Sequence, residues 1–134
     1  MRNGQVRFVA DTHALWWFLK SPERLSAAAT AVFRLAGTGN ATIVVPAIVV
    51  AEFYFLSVKL GQPIAPAELL ARLDAVGGIE VADLGRAQLE RLELCKEISE
   101  MHDRLIAAES LTLEAPVLTR DGTLTASRQI QTIW

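Results

Sequence analysis

The sequence predicts an α/β fold: a parallel sheet covered by helices on both faces. Three observations carry this expectation. Short β-rich runs alternate with helical stretches along the chain, the pattern of β-α units. Runs such as Thr42-Ile43-Val44-Val45 and Val117-Leu118-Thr119 are short and almost fully apolar, which suits a strand buried on both faces better than a half-solvated one. Apolar residues make up 51% of the 134 residues, enough to bury a core within a single domain spanning residues 1–134.

Each element follows from local signals. Val6-Arg7-Phe8-Val9-Ala10 reads as the first strand. Thr12 to Lys20 reads as a helix stopped near Ser21-Pro22, because proline restricts the residue before it. Leu25 to Ala36 is a second helix, with Ser26 near its start and Gly37-Thr38-Gly39-Asn40 at its end. Thr42 to Val45 is a strand, and Pro46 suits the first turn of a helix that runs to Leu60 before Gly61. Ala67 to Ala75 is helical, followed by Gly77-Gly78 and the strand Ile79-Glu80-Val81. Arg86 to Ile98 reads as one helix, and Asp103 to Glu114 as another, closed before Pro116. Val117-Leu118-Thr119 is a strand ending in an Asp121-Gly122 turn, and Ile130 to Ile133 is the last strand.

Charge and composition narrow the function. Thirteen basic residues face fifteen acidic ones, for a net charge of -2. This excludes nucleic-acid binding by bulk charge, which needs many cations to neutralise phosphates. Cys95 is the one cysteine, so no intrachain disulfide forms, and a reducing cytoplasm fits. Met1 to Arg7 opens no stretch resembling a secretory leader. The most membrane-like segment, Ala41 to Leu60, is broken by Pro46 and carries Glu52, which costs about 2.5 kcal/mol or more at mid-bilayer. The chain is therefore expected to be soluble and cytoplasmic, with no membrane partner.

Four carboxylates stand out. Asp11 ends the first strand, and Asp121 follows the fourth by one residue, Arg120. Ligands of parallel sheets bind outside the carboxyl ends of strands, so the two acids share a crevice if their strands are neighbours. Each also has a plain structural use, as helix cap or turn residue. Glu52 sits among Ile48, Val49, Val50, Phe53, Tyr54 and Leu56. A carboxylate buried there must be protonated, paired or bound to a cation, and a distant arginine or Lys59 is the competing partner. Asp103 opens a helix, where an acid is also welcome electrostatically. His13 and His102 read first as surface histidines, with metal ligation as the alternative, and Cys95 with these two has no zinc-site spacing. Together the acids suit a hard divalent cation, Mg²⁺ or Mn²⁺, and clustered carboxylates holding such ions support phosphodiester hydrolysis. Arg104 and Arg120 flank two of the acids, within reach of a phosphate or of structural partners.

Val9 to Trp17, Ala51-Glu52, His102 to Ala108 and Pro116 to Asp121, with the closing Ile130 to Trp134, resemble the PIN-domain ribonucleases, and within them the VapC toxins of VapBC toxin–antitoxin pairs. The resemblance implies a three-layer α/β/α sandwich around a central parallel sheet of four or five strands. It implies Mg²⁺- or Mn²⁺-dependent endonucleolytic cleavage of RNA. It implies a homodimer and a cognate VapB-like antitoxin, assembled into a heterotetramer or larger. Carried over by position, Asp11, Glu52, Asp103 and Asp121 become the catalytic, metal-binding acids, with Asp11 and Asp103 the first choice as direct ligands and Glu52 and Asp121 ligating either directly or through water. Thr119 becomes a supporting hydroxyl. Pro46 departs from the pattern, since many relatives carry serine at the start of that helix.

Two other readings use the same residues. One is a non-catalytic module whose acidic crevice receives a basic peptide; the other is a PIN-fold RNA-processing nuclease without an antitoxin. Trp16-Trp17-Phe18 and Phe53-Tyr54-Phe55-Leu56 concentrate aromatic residues on two helices. Successive helical residues point about 100° apart, so some of these rings face outward and suit a subunit or antitoxin interface. With the four acids set aside, eleven acidic residues face thirteen basic ones and the remainder is +2. A bound cation would shift the site further towards attracting phosphate.

Overall fold

A computed structural model describes residues 6–134; the leader reading of Met1 to Gln5 lies outside the described residues. Five strands form one sheet: β1 (Val6–Ala10), β2 (Ala41–Pro46), β3 (Ile79–Ala82), β4 (Val117–Leu118) and β5 (Thr132–Ile133). Their order is β3-β2-β1-β4-β5, and every pairing is parallel. The helices are α1 (Thr12–Lys20), α2 (Ala27–Gly37), α3 (Ala47–Lys59), α4 (Pro66–Ala75), α5 (Arg86–Glu90), α6 (Met101–Leu113) and α7 (Gly122–Ala126).

The strand alternation sorts the core into two faces. Phe8, Ala10 and Leu118 pack with Val32, Phe33 and Ala36 of α2. Val9 and Val117 point the other way, onto Val49 and Phe53 of α3, Leu69 and Leu73 of α4, and Ile106 and Ala107 of α6. Helix α1 serves both faces, giving Ala14 to the first and Leu15, Trp16 and Trp17 to the second. The three-layer α/β/α expectation is met, with five parallel strands. The apolar segment Ala41 to Leu60 divides into β2 and α3, and among the described residues no helix is long and apolar enough to cross a membrane.

Several element ends differ by a residue or two from the sequence reading, and three differences have a clear physical reason. The helix expected over Arg86 to Ile98 ends at Glu90 and gives way to a 3₁₀ turn, Leu92–Cys95. Partners outside the segment take its polar groups: Arg104 donates to the Ile98 carbonyl at 2.6 Å and to Lys96 at 3.0 Å, and Ser127 donates to Glu97 at 2.7 Å. Cys95 and Ile98 are meanwhile fully buried. Asp121-Gly122, read as a turn, opens α7, because the Asp121 carboxylate accepts the Leu124 N–H at 3.0 Å and caps it. Pro46 is the last residue of β2 and the N-cap of α3, one position before the first turn.

Candidate active site

The sheet order places a topological switch point between β1 and β4. The chain leaves β1 towards β2 and β3, then returns on the other side to β4. Ligand crevices form at the carboxyl ends of such strands. Asp11 follows β1 directly, and Asp121 lies just beyond β4. The condition set by the sequence, that their strands be neighbours, is met.

Asp11 is buried and serves as the N-cap of α1, its Oδ1 accepting the Ala14 N–H at 2.8 Å. Its other oxygen accepts the hydroxyl of Thr119. Burial raises its pKa, opposed by those two hydrogen bonds. Thr119 Oγ1 in turn accepts the Asp121 N–H at 2.9 Å. Glu52 projects from α3 and accepts the Thr12 hydroxyl at 2.6 Å. Its other oxygen lies 3.6 Å from His102 Nδ1. Thr12 and His102, rather than Lys59, are its partners.

Asp103 lies in the first turn of α6. Its carboxyl is pushed up to about 6, first by burial and then by repulsion from Asp121, Glu100, Glu52 and Asp11. Asp11, Glu52, Asp103 and Asp121 line one cleft of about 230 Å³ together with Thr12 and His13. Four acids from four segments of sequence thus face one space. A hard cation suits that donor set, since it offsets the repulsion that raises Asp103.

Two participants escaped the sequence reading. Glu100 caps α6, accepting the Asp103 N–H at 2.8 Å, and pairs with His102 Nδ1 at 2.6 Å. This hydrogen bond raises the His102 pKa. Glutamate is not a favoured cap residue, so local sequence carried no signal for it. Donor atoms of Glu52, Glu100 and His102 come within 4.8 Å of one another, a grouping that shares Glu52 with the quartet. Thr12 is the second, recognisable only once α3 lies against α1. Arg104, expected within reach of phosphate or of structural partners, is the structural case, committed to the carbonyls of Lys96 and Ile98. Most of the aromatic residues are core: Trp16, Trp17 and Phe53 are buried, whereas Phe55 is 68% exposed, close in sequence to exposed Val58 and Leu60.

No curated protein matches the sequence. Three solved structures share the fold over nearly the whole chain. VapBC2 from Rickettsia felis, bound to a DNA fragment from its promoter, has 15% identity and a TM-score of 0.69, covering 96% of this chain and 98% of that one. DNA-bound VapBC from Salmonella typhimurium has 16% identity and a TM-score of 0.69, covering 96% and 97%. FitAcB from Neisseria gonorrhoeae has 16% identity and a TM-score of 0.63, covering 95% and 96%. The PIN domain family matches residues 8–126, a span that runs from the first strand to the last helix and holds all four acids, and the chain therefore belongs to the PIN domain family.

Proposed function

We propose that this chain is a metal-dependent endoribonuclease and the toxin of a type II toxin–antitoxin pair. The observation that carries the reading is the convergence of Asp11, Glu52, Asp103 and Asp121 on one cleft at the β1/β4 switch point. These four residues would hold Mg²⁺ or Mn²⁺. When bound, such an ion supplies positive charge against a phosphodiester and lowers the pKa of water.

The chain's own residues prepare the site. Asp11 is fixed in one orientation by Ala14 and Thr119. Each carboxylate oxygen still has a free lone pair, so a ligand adds to these bonds without breaking them. Thr12 fixes Glu52 in the same way. His102, half-buried at the edge of this cluster and bonded to Glu100, is placed to hold a proton near the cleft.

The partner reading rests on the neighbours, which include two VapBC complexes. A cognate VapB-like antitoxin, homodimerisation and a heterotetramer or larger follow by analogy, with the exposed Phe55, Val58 and Leu60 available for one of these contacts. An acidic cleft that attracts cations also suits a basic antitoxin side chain.

The test is cleavage of RNA with Mg²⁺ or Mn²⁺ by the wild type, Asp11→Asn and Asp103→Asn. Loss of cleavage in both variants, with folding intact by circular dichroism, is the expected result. Undiminished cleavage in both refutes the assignment. Sequencing the RNA ends produced in cells, with Asp11→Asn as control, identifies the target.

A further inference from the structure

Beside the acidic cleft lies a second one of about 370 Å³, lined by Asp11, His13, Trp17, Arg24, Arg120 and Asp121. Three of these residues, Asp11, His13 and Asp121, also line the acidic cleft, so the two spaces adjoin. Trp17 is six residues past Asp11 on α1, about 9 Å along the helix axis. Arg24 and Arg120 both rest on its indole, with guanidinium carbons 5.2 and 5.4 Å from the ring centroid.

The two arginines arrive from unrelated segments. Arg24 ends the 3₁₀ turn after α1, and Arg120 lies between Thr119 and Asp121 beyond β4. Both are exposed. Among the described residues neither side chain has a carboxylate within ion-pair distance or a hydrogen bond, although Asp121 is the next residue to Arg120. Arg104 shows the contrast, with its guanidinium spent on two backbone carbonyls. The indole orders Arg24 and Arg120 without using their N–H donors, which is how a guanidinium is held ready for an anion.

We infer that Arg24 and Arg120, seated on Trp17, form a phosphate subsite that holds the RNA backbone next to the scissile bond. This rests on the ribonuclease reading above. Trp17 is only 9% exposed, so its ring is not free to stack a base; the subsite recognises phosphate by charge and bidentate hydrogen bonds, independent of base identity. It also answers the charge problem of an acidic chain, because two cationic side chains stand next to the acids where the backbone would be held.

The experiment measures binding of a fluorescein-labelled ten-nucleotide oligouridylate by anisotropy across a salt series, in the Asp103→Asn background so that the probe stays intact. Arg24→Ala and Arg120→Ala should each weaken binding about tenfold and lower the slope of log K against log salt by about 0.7. Arg24→Lys should restore part of the affinity, since it keeps the charge and loses the fork. In the cleavage-competent chain the same alanine variants should raise KM with kcat little changed. Unchanged affinity and slope in both alanine variants, with melting temperatures showing a folded protein, overturn the subsite. So does intact RNA binding combined with weakened capture of an antitoxin, which would assign the arginines to a protein carboxylate. Cleavage by the wild type reports separately on the ribonuclease reading: an enzyme that cleaves RNA while its arginine variants bind normally keeps that reading and loses the subsite.

Discussion

The hydroxyl of Thr119 donates to the carboxylate of Asp11 across 108 residues of sequence. The same oxygen accepts the N–H of Asp121. One buried hydroxyl therefore joins the ends of β1 and β4 and fixes the spacing of two acids of the candidate site. Thr119→Val keeps the shape and removes the hydroxyl, leaving a buried carboxylate oxygen and a backbone N–H short of a partner. A loss of about 2 kcal/mol is expected, measured by urea unfolding, together with reduced RNA cleavage. Thr119→Ser should recover most of both. A valine variant as stable and active as the wild type would remove Thr119 from the site.

Arg104 provides the opposite test. Its bonds to the carbonyls of Ile98 and Lys96 hold the segment between α5 and α6. Arg104→Ala should cost about 1 to 2 kcal/mol of stability without altering oligouridylate affinity or its salt slope. A fall in RNA affinity at unchanged stability would return Arg104 to the substrate.

The metal-free protein should carry a pH signature from Asp103. Its carboxyl sits at about 6 when folded, against an ordinary 3.8. A raised acid favours folding fully below its ordinary pKa, and that contribution is lost as pH rises through the folded value. Asp103→Asn should therefore match the wild type near pH 4 and become more stable than it above pH 6. Asp103 is half-buried, so solvent screening holds the gain to about 1 kcal/mol rather than the full value of the shift. Melting curves in a chelator from pH 4 to 7.5 measure it. A stability difference that stays constant with pH contradicts the electrostatic account of the cleft. Added Mg²⁺ or Mn²⁺ should reduce the difference at neutral pH by stabilising the wild type selectively.

Two glycines with positive φ separate conformation from packing. Gly39 (φ 81°) has open space where a Cβ would sit, whereas at Gly78 (φ 82°) a Cβ would come within 2.2 Å of the Ala36 carbonyl oxygen. Gly39→Ala should cost about 1 kcal/mol from the left-handed backbone alone. Gly78→Ala should cost about 3 kcal/mol or more, because the strand that follows must move away from α2. Comparable melting temperatures for the two variants would show that the α2–β3 junction yields easily.

The sequence alone carried the layer architecture and the acids. Apolar strand runs and helix punctuation are local signals, and a helix start such as Ser26, whose side chain caps the Ala29 N–H, is written within a few residues. Asp11, Glu52, Asp103 and Asp121 were each marked by position in an element, at a strand end, on an apolar helix or at a helix start. Only the tertiary structure decided what these residues share. The crossover to β4 brings Thr119 to Asp11. The packing of α3 against α1 brings Thr12 to Glu52. The seating of two arginines on Trp17, and the withdrawal of Arg104 to backbone carbonyls, depend on where distant segments meet. The break of the helix expected over residues 86–98 has the same origin. Periodicity and capping act over one or two turns, so they are legible in the chain. Hydrogen bonds between groups a hundred residues apart exist only after the sheet has fixed its strand order, and the proposed site is built on them.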